Sequence, residues 1–226
     1  MTVSPVQGLV GRPVELASVR DLLQDTAAGR GRCLLIEGEP GIGKSALLAQ
    51  ALADLELPGG QVLREQSDEL GERFPLSVMT RLLGVDERSA DPLRAQAARA
   101  LTREESADGS TMRLQSSDPV AAAVEEMLAL VDRLCARGPM VLVVEDLHWA
   151  DEASLVMWRR LCQASVQLPL LVAGTCRTVA TRQAELDQVR GEVRARDGVL
   201  MALGRWPREW CQSWSARSPG VYRGPG

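Results

Sequence analysis

Gly38-Glu39-Pro40-Gly41-Ile42-Gly43-Lys44-Ser45 is the stretch that decides the fold. It fits the pattern GxxxxGK followed by Ser or Thr at every fixed position. Glycines let a loop wrap closely round phosphate oxygens, with successive N–H groups turned inward. A helix that opens at the end of such a loop offers its N-terminus to an anion. In this arrangement Lys44 supplies a point charge to the β- and γ-phosphates, and the Ser45 hydroxyl is a ligand for Mg²⁺. Lys44 is also the one lysine among 26 basic residues; the other 25 are arginines. Such a bias is most simply a matter of codon usage, which singles out the position that departs from it. From this chain's own frequencies of Gly, Lys and Ser/Thr, a chance match is roughly one in a thousand. A phosphate-bearing ligand with Mg²⁺ is therefore expected at this loop.

The loop has the neighbours this role needs. Cys33-Leu34-Leu35-Ile36 is a short apolar run bounded by glycine, as in a buried parallel strand. Residues 45–54 read as a helix. A P-loop also needs a carboxylate at the end of another buried strand, to hold Mg²⁺ through water. Val141-Leu142-Val143-Val144 runs into Glu145-Asp146 and supplies two. The apolar run delivers both acids to the C-terminal edge of a sheet, where ligands bind in α/β folds. By position, Glu145 is the metal-side acid beside Ser45, and Asp146 is the one that polarises a water. An acidic pair that merely caps the next helix is the bland alternative, and a neighbouring P-loop weakens it. A further apolar run ends in Gly174-Thr175-Cys176-Arg177. Arg177 is a candidate sensor facing the γ-phosphate, although an arginine after a strand is as readily a solvated surface residue.

Further out, helices and strands alternate. Residues 12–30 read as an amphipathic helix with Leu16, Val19, Leu22 and Leu23 on one face. A second strand is expected at 61–64 and a short helix at 75–83. An Ala-rich helical stretch is expected at 94–101. Residues 84–118 read as an insertion, and 102–117 within it as a surface loop. Asp118 and Pro119 look like the N-cap and first residue of a helix that Gly138-Pro139 stops. The third strand is 140–145, followed by a helix from about 152 to 165 with Asp151 as its N-cap. A fourth strand at 169–175, a helix at 182–196 and a fifth strand at 199–203 complete the order. The pattern is α/β: a parallel sheet of about five strands covered by helices on both faces, the P-loop NTPase arrangement. One domain is expected over 1–203. Residues 204–226 differ in composition, with three tryptophans and no Leu, Ile or Met. They are expected to lie outside the fold, as a disordered, frameshifted or truncated end.

Composition narrows the function. The net charge is −4 and no basic block occurs, which argues against direct nucleic-acid binding by this chain. No apolar run approaches the roughly 18 residues of a membrane span, and no leader pattern opens the chain. A cytoplasmic, non-membrane protein is the expectation. Five cysteines without a CxxC pair, and a single histidine, His148, leave little room for a disulfide frame or a zinc site.

The segments LVGRPVEL (9–16), LLIEGEPGIGKSALL (34–48), VLVVEDLHWADEASL (141–155) and LPLLVAGTCR (168–177) occur in an order that resembles the ATPase module of STAND-class P-loop NTPases. The similarity is greatest to large ATP-binding regulators of the LuxR type, and it runs from about residue 8 to 203. It implies that Gly11, Arg12 and Glu15 lie near the adenine, and that Arg177 is the sensor arginine. His148, Trp149 and Asp151 match the stretch after the second acidic motif. It further implies an ATP/ADP switch with slow hydrolysis, coupled to self-association or to a signalling protein. One departure stands out: many P-loop NTPases put Asp first and Glu second, whereas here Glu145 precedes Asp146. Aspartate is one methylene shorter, so its reach to a water is reduced. Two other readings stay open, a small-molecule kinase and a nucleotide-binding remnant without turnover. Arg159 and Arg160 are arginine-finger candidates by position only.

Overall fold

Side chains along the central strands point alternately to two cores. This is seen in a computed structural model, which describes residues 12–53, 55–106, 119–178 and 182–204. The helices are α1 (Pro13–Ala27), α2 (Lys44–Ala53), α3 (Ser77–Leu83), α4 (Pro92–Ser106), α5 (Pro119–Cys135), α6 (Glu152–Ala164) and α7 (Gln183–Ala195). The strands are β1 (Arg32–Gly38), β2 (Gln61–Gln66), β3 (Met140–Glu145), β4 (Leu170–Cys176) and β5 (Val199–Leu203). All pairings are parallel, in the order β2-β3-β4-β1-β5.

Leu34 and Ile36 of β1, with Val141, Val143, Leu171 and Ala173, face α1 and α2. Cys33 and Leu35, with Leu142, Val144 and Val172, face α3 to α7. Every residue of β3 and β4 is buried, as expected for central parallel strands. Full burial of each Leu or Ile contributes about 1.5–3 kcal/mol, so this sandwich of cores holds the strand ends rigidly. Glu37 is the polar interruption in β1. Its carboxylate accepts from Arg190 Nε at 2.8 Å and from the Cys176 thiol at 3.3 Å, tying α7 to β1 and β4.

The expected elements form, including the covering of the sheet on both faces. The differences are local. β2 extends to Gln66, two residues further than expected. The loop expected over 102–117 is wrong at its start, because α4 continues to Ser106. Ala97 and Ala98 of α4 are buried in the larger core, so this part of the 84–118 segment belongs to the fold. Weak periodicity in an Ala- and Arg-rich stretch hid it. Cys33, Cys135, Cys162 and Cys176 are buried free thiols. The expected cap at Asp118, the loop beyond Ser106, Gly11 and the tail after Gly204 lie outside the described residues.

Candidate functional site

The ends of three adjacent strands make the site. β4 lies between β1 and β3, so the P-loop after β1 and the acids after β3 flank the end of β4. Within the loop, Gly41 has φ 73° and Gly43 φ 101°, a region that side-chain-bearing residues rarely adopt. The chain can therefore coil tightly through Gly38–Gly43 before α2 begins at Lys44. Ile42 anchors the loop against the smaller core, while Glu39, Pro40 and Gly41 are exposed.

Lys44 is 7% exposed. Its Nζ donates to the carbonyls of Gly38 at 2.9 Å and Glu39 at 3.1 Å, so the ammonium closes the mouth of its own loop. Burial pushes its pKa below the ordinary lysine value; the negative charge of Asp146 opposes this.

Ser45 Oγ donates to Glu145 Oε2. The two groups expected on the metal side thus meet across the crevice between β1 and β3. Glu145 Oε1 accepts from Arg64 Nε at 2.6 Å. Asp146 adopts a left-handed conformation with φ 54°, a geometry aspartate tolerates better than most residues. Its N–H donates to Thr175 Oγ1 at 3.0 Å, and its Oδ2 accepts from Gln66 Nε2 at 2.8 Å. The turn Leu147–Trp149 follows, and Asp151 caps α6 as expected. The capping carboxylate accepts from Ser154 N and from Leu76 N, both at 2.9 Å.

Arg177 does come to the end of β4, close enough for its charge to bear on Lys44 and His148. Its guanidinium lies 5.8 Å from the centre of the Trp149 ring. The side chain at the end of β4 that touches the acidic pair is Thr175. Arg12 is 5% exposed and donates to Gly204 O at 2.8 Å and Ile42 O at 3.4 Å, joining the start of α1 to the P-loop and the end of β5. Arg159 and Arg160 are occupied by Gln188 and Glu125. Sequence reasoning missed Arg64, Gln66 and Thr175. Only the polar interruption of strand-like runs marked them.

The sheet and the loop define a P-loop NTPase fold. Residues 8–173 match the family described as AAA ATPase domain, and the chain belongs to it. Over 194 residues the chain is 28% identical to an uncharacterized protein, R02095, of Rhizobium meliloti (strain 1021). That alignment takes in 75% of this chain and 18% of the relative, so the chain spans under a fifth of its length. The Orc1 protein of Aeropyrum pernix, solved in complex with DNA, shares the fold at TM-score 0.56 and 16% identity, over 95% of this chain and 52% of that one. Cdc6p of Pyrobaculum aerophilum does so at 0.55 and 15%, over 94% and 51%. At these identities the likeness concerns the fold alone. Among the described residues no helix is long and apolar enough to cross a membrane.

Proposed function

We propose that the chain binds ATP with Mg²⁺ at the P-loop and acts as a slowly hydrolysing nucleotide switch, the ATPase module of a larger signalling or transcriptional regulator. One observation carries the nucleotide reading. Lys44 and Ser45, at the start of α2, stand opposite Glu145 and Asp146 at the end of β3, and Ser45 already meets Glu145.

The residues fit the metal. Ser45 and Glu145 are hard oxygen donors, and Mg²⁺ takes most of its ligands from phosphates and water rather than from a protein cage. Among the described residues no group of three His, Cys, Asp or Glu forms such a cage. Held by Ser45 and Glu145, bound Mg²⁺ would neutralise negative charge on the phosphates. The chain's own part is to hold and orient. The loop N–H groups and Lys44 hold phosphate, and Ser45 and Glu145 hold the metal. Asp146, steadied by Gln66 and Thr175, accepts a hydrogen bond from the attacking water. Its short side chain suits slow turnover and hence a switch.

The regulator role rests on the resemblance to LuxR-type ATPases and on the small share of its relative that the chain spans. Its partners on this reading are ATP and ADP, with self-association or a signalling protein as the output. Direct DNA contact is not assigned to this acidic chain. Titration of the purified chain with a fluorescent ATP analogue, with and without Mg²⁺, tests the nucleotide reading. Saturable binding, strengthened by Mg²⁺ and competed by ATP and ADP, is expected. Absence of saturable binding would overturn it.

A further inference from the structure

His148 is the one histidine of the chain. It is 3% exposed, and neither Nδ1 nor Nε2 has a hydrogen-bond partner. Nearly all buried polar atoms in folded proteins are paired, because an unpaired one forfeits its hydration without return. An apolar side chain would fill this space at less cost. The surroundings suggest why an imidazole stands there. Its ring leans on Trp149, with centroids 5.3 Å apart, and Arg177 lies over that same indole. Its Nδ1 is 4.0 Å from Asp146 Oδ1. The other carboxylate oxygen, Oδ2, is held by Gln66. Asp146 is thus fixed on one side and open on the side that faces the ring. A hydrogen bond from nitrogen spans about 2.7–3.2 Å, so a movement of roughly 1 Å closes the gap.

We propose that His148 is a positioning residue for Asp146: with nucleotide in the P-loop, Nδ1–H donates to Oδ1 and holds the carboxylate toward the water it polarises. The inference rests on the nucleotide reading above. A neutral imidazole carries one donor and one acceptor, so no proton need be gained or lost. In the structure the contact is open, at 4.0 Å, and the ring is unpaired. Filling of the P-loop, which lies against the same acids, closes it. His148 then links the state of the nucleotide to the turn Leu147–Trp149 and to Arg177.

The single histidine of this chain makes the test direct, since its imidazole ¹⁵N spectrum contains one residue. ATP binding is first measured by fluorescence, so that saturation is known. At saturating ATP–Mg²⁺ the Nδ1 resonance is expected to move to the protonated, hydrogen-bonded range, with slowed exchange of its proton; ADP should produce less of this. Three variants add a second readout. The amide of His148→Asn places a donor where Nδ1–H stands, that of His148→Gln places it near Nε2, and His148→Phe has none. Turnover per bound ATP is expected to fall about 10- to 100-fold in the Phe and Gln variants and to recover largely in Asn. His148→Phe should also melt above the parent in the absence of nucleotide. An imidazole spectrum unchanged at saturating ATP, or an Asn variant no better than Phe, would overturn the proposal while leaving ATP binding intact. Failure of the parent chain to bind ATP would remove the nucleotide reading and this proposal with it.

Discussion

Lys44 and His148 show what burial does to single residues in this site. Lys44 is the only lysine, and its ammonium now rests on two carbonyls of its own loop. Charge-assisted hydrogen bonds contribute about 1.5–3 kcal/mol each. Lys44→Ala is therefore expected to weaken ATP binding roughly 10- to 150-fold, read by titration with the fluorescent analogue. An affinity within twofold of the parent would remove Lys44 from the site. His148 titrates below the ordinary histidine value, chiefly because it is buried; Arg177 and Lys44 add to this, and Asp146 opposes it. Below the ordinary value of 6.5 the unfolded chain binds a proton that the folded chain resists. Stability should thus fall as pH drops through the window just below 6.5, down to the depressed folded value. Urea midpoints measured across that window check this, and His148→Phe should flatten the fall.

Two elements decide how the acids are held. β2 carries Arg64 and Gln66 two residues apart, hence on one face of the strand. The first bonds Glu145 and the second Asp146. Arg64 bonds the Glu145 carboxylate, and on the proposed reading it would compete there with Mg²⁺. The side chain of Arg64 is 35% exposed, which screens the effect to about 1 kcal/mol. Arg64→Gln should then lower the Mg²⁺ concentration for half-maximal ATP binding roughly fivefold; an unchanged Mg²⁺ titration would count against the competition. On the other side of the site, Asp151 at the start of α6 is 4% exposed and accepts from Ser154 N, Ser154 Oγ and Leu76 N. Leu76 is left-handed, with φ 58°, and the Asp151 bond holds it there. Asp151→Ala removes a helix cap and strands a buried N–H, at about 2–4 kcal/mol together. Denaturant unfolding should show this loss, and Asp151→Asn, which keeps an acceptor, should lose less than half as much.

At the scale of the whole molecule, ligand binding and folding are linked. The site joins β1, β3, α2 and the edge strand β2, so nucleotide ties together elements that are distant in sequence. A ligand at a hundred times its Kd stabilises the folded state by about 2.7 kcal/mol. For a chain of this size the melting temperature should rise by roughly 5–10 °C. Thermal scans with and without ATP–Mg²⁺ measure it, and Lys44→Ala, binding roughly 10- to 150-fold more weakly, should keep between about half and about a tenth of that rise at the same concentration. The two cores on either face of the sheet are large enough to hold this frame before ligand arrives.

Local patterns in the chain determined a good deal. A P-loop is a backbone shape that glycines at fixed spacing permit, and it is legible because the residues that set the shape are adjacent in sequence. The same holds for the apolar run that ends in Glu145-Asp146, and for Asp151, whose cap reaches three residues along its own helix. The parallel sheet follows from strands separated by helices. The partners of the acids were not legible. Gln66 stands beside Glu145 in the parallel pairing of β2 with β3, and Arg64 beside Val143. That register joins residues about 80 apart and leaves no local signature. Thr175 reaches Asp146 only because β4 lies next to β3. Arg177 fits a sensor by spacing, yet the structure turns its guanidinium onto Trp149. Spacing along a strand sets where a residue begins; which neighbour its side chain meets depends on packing across strands, and that is a property of the tertiary fold.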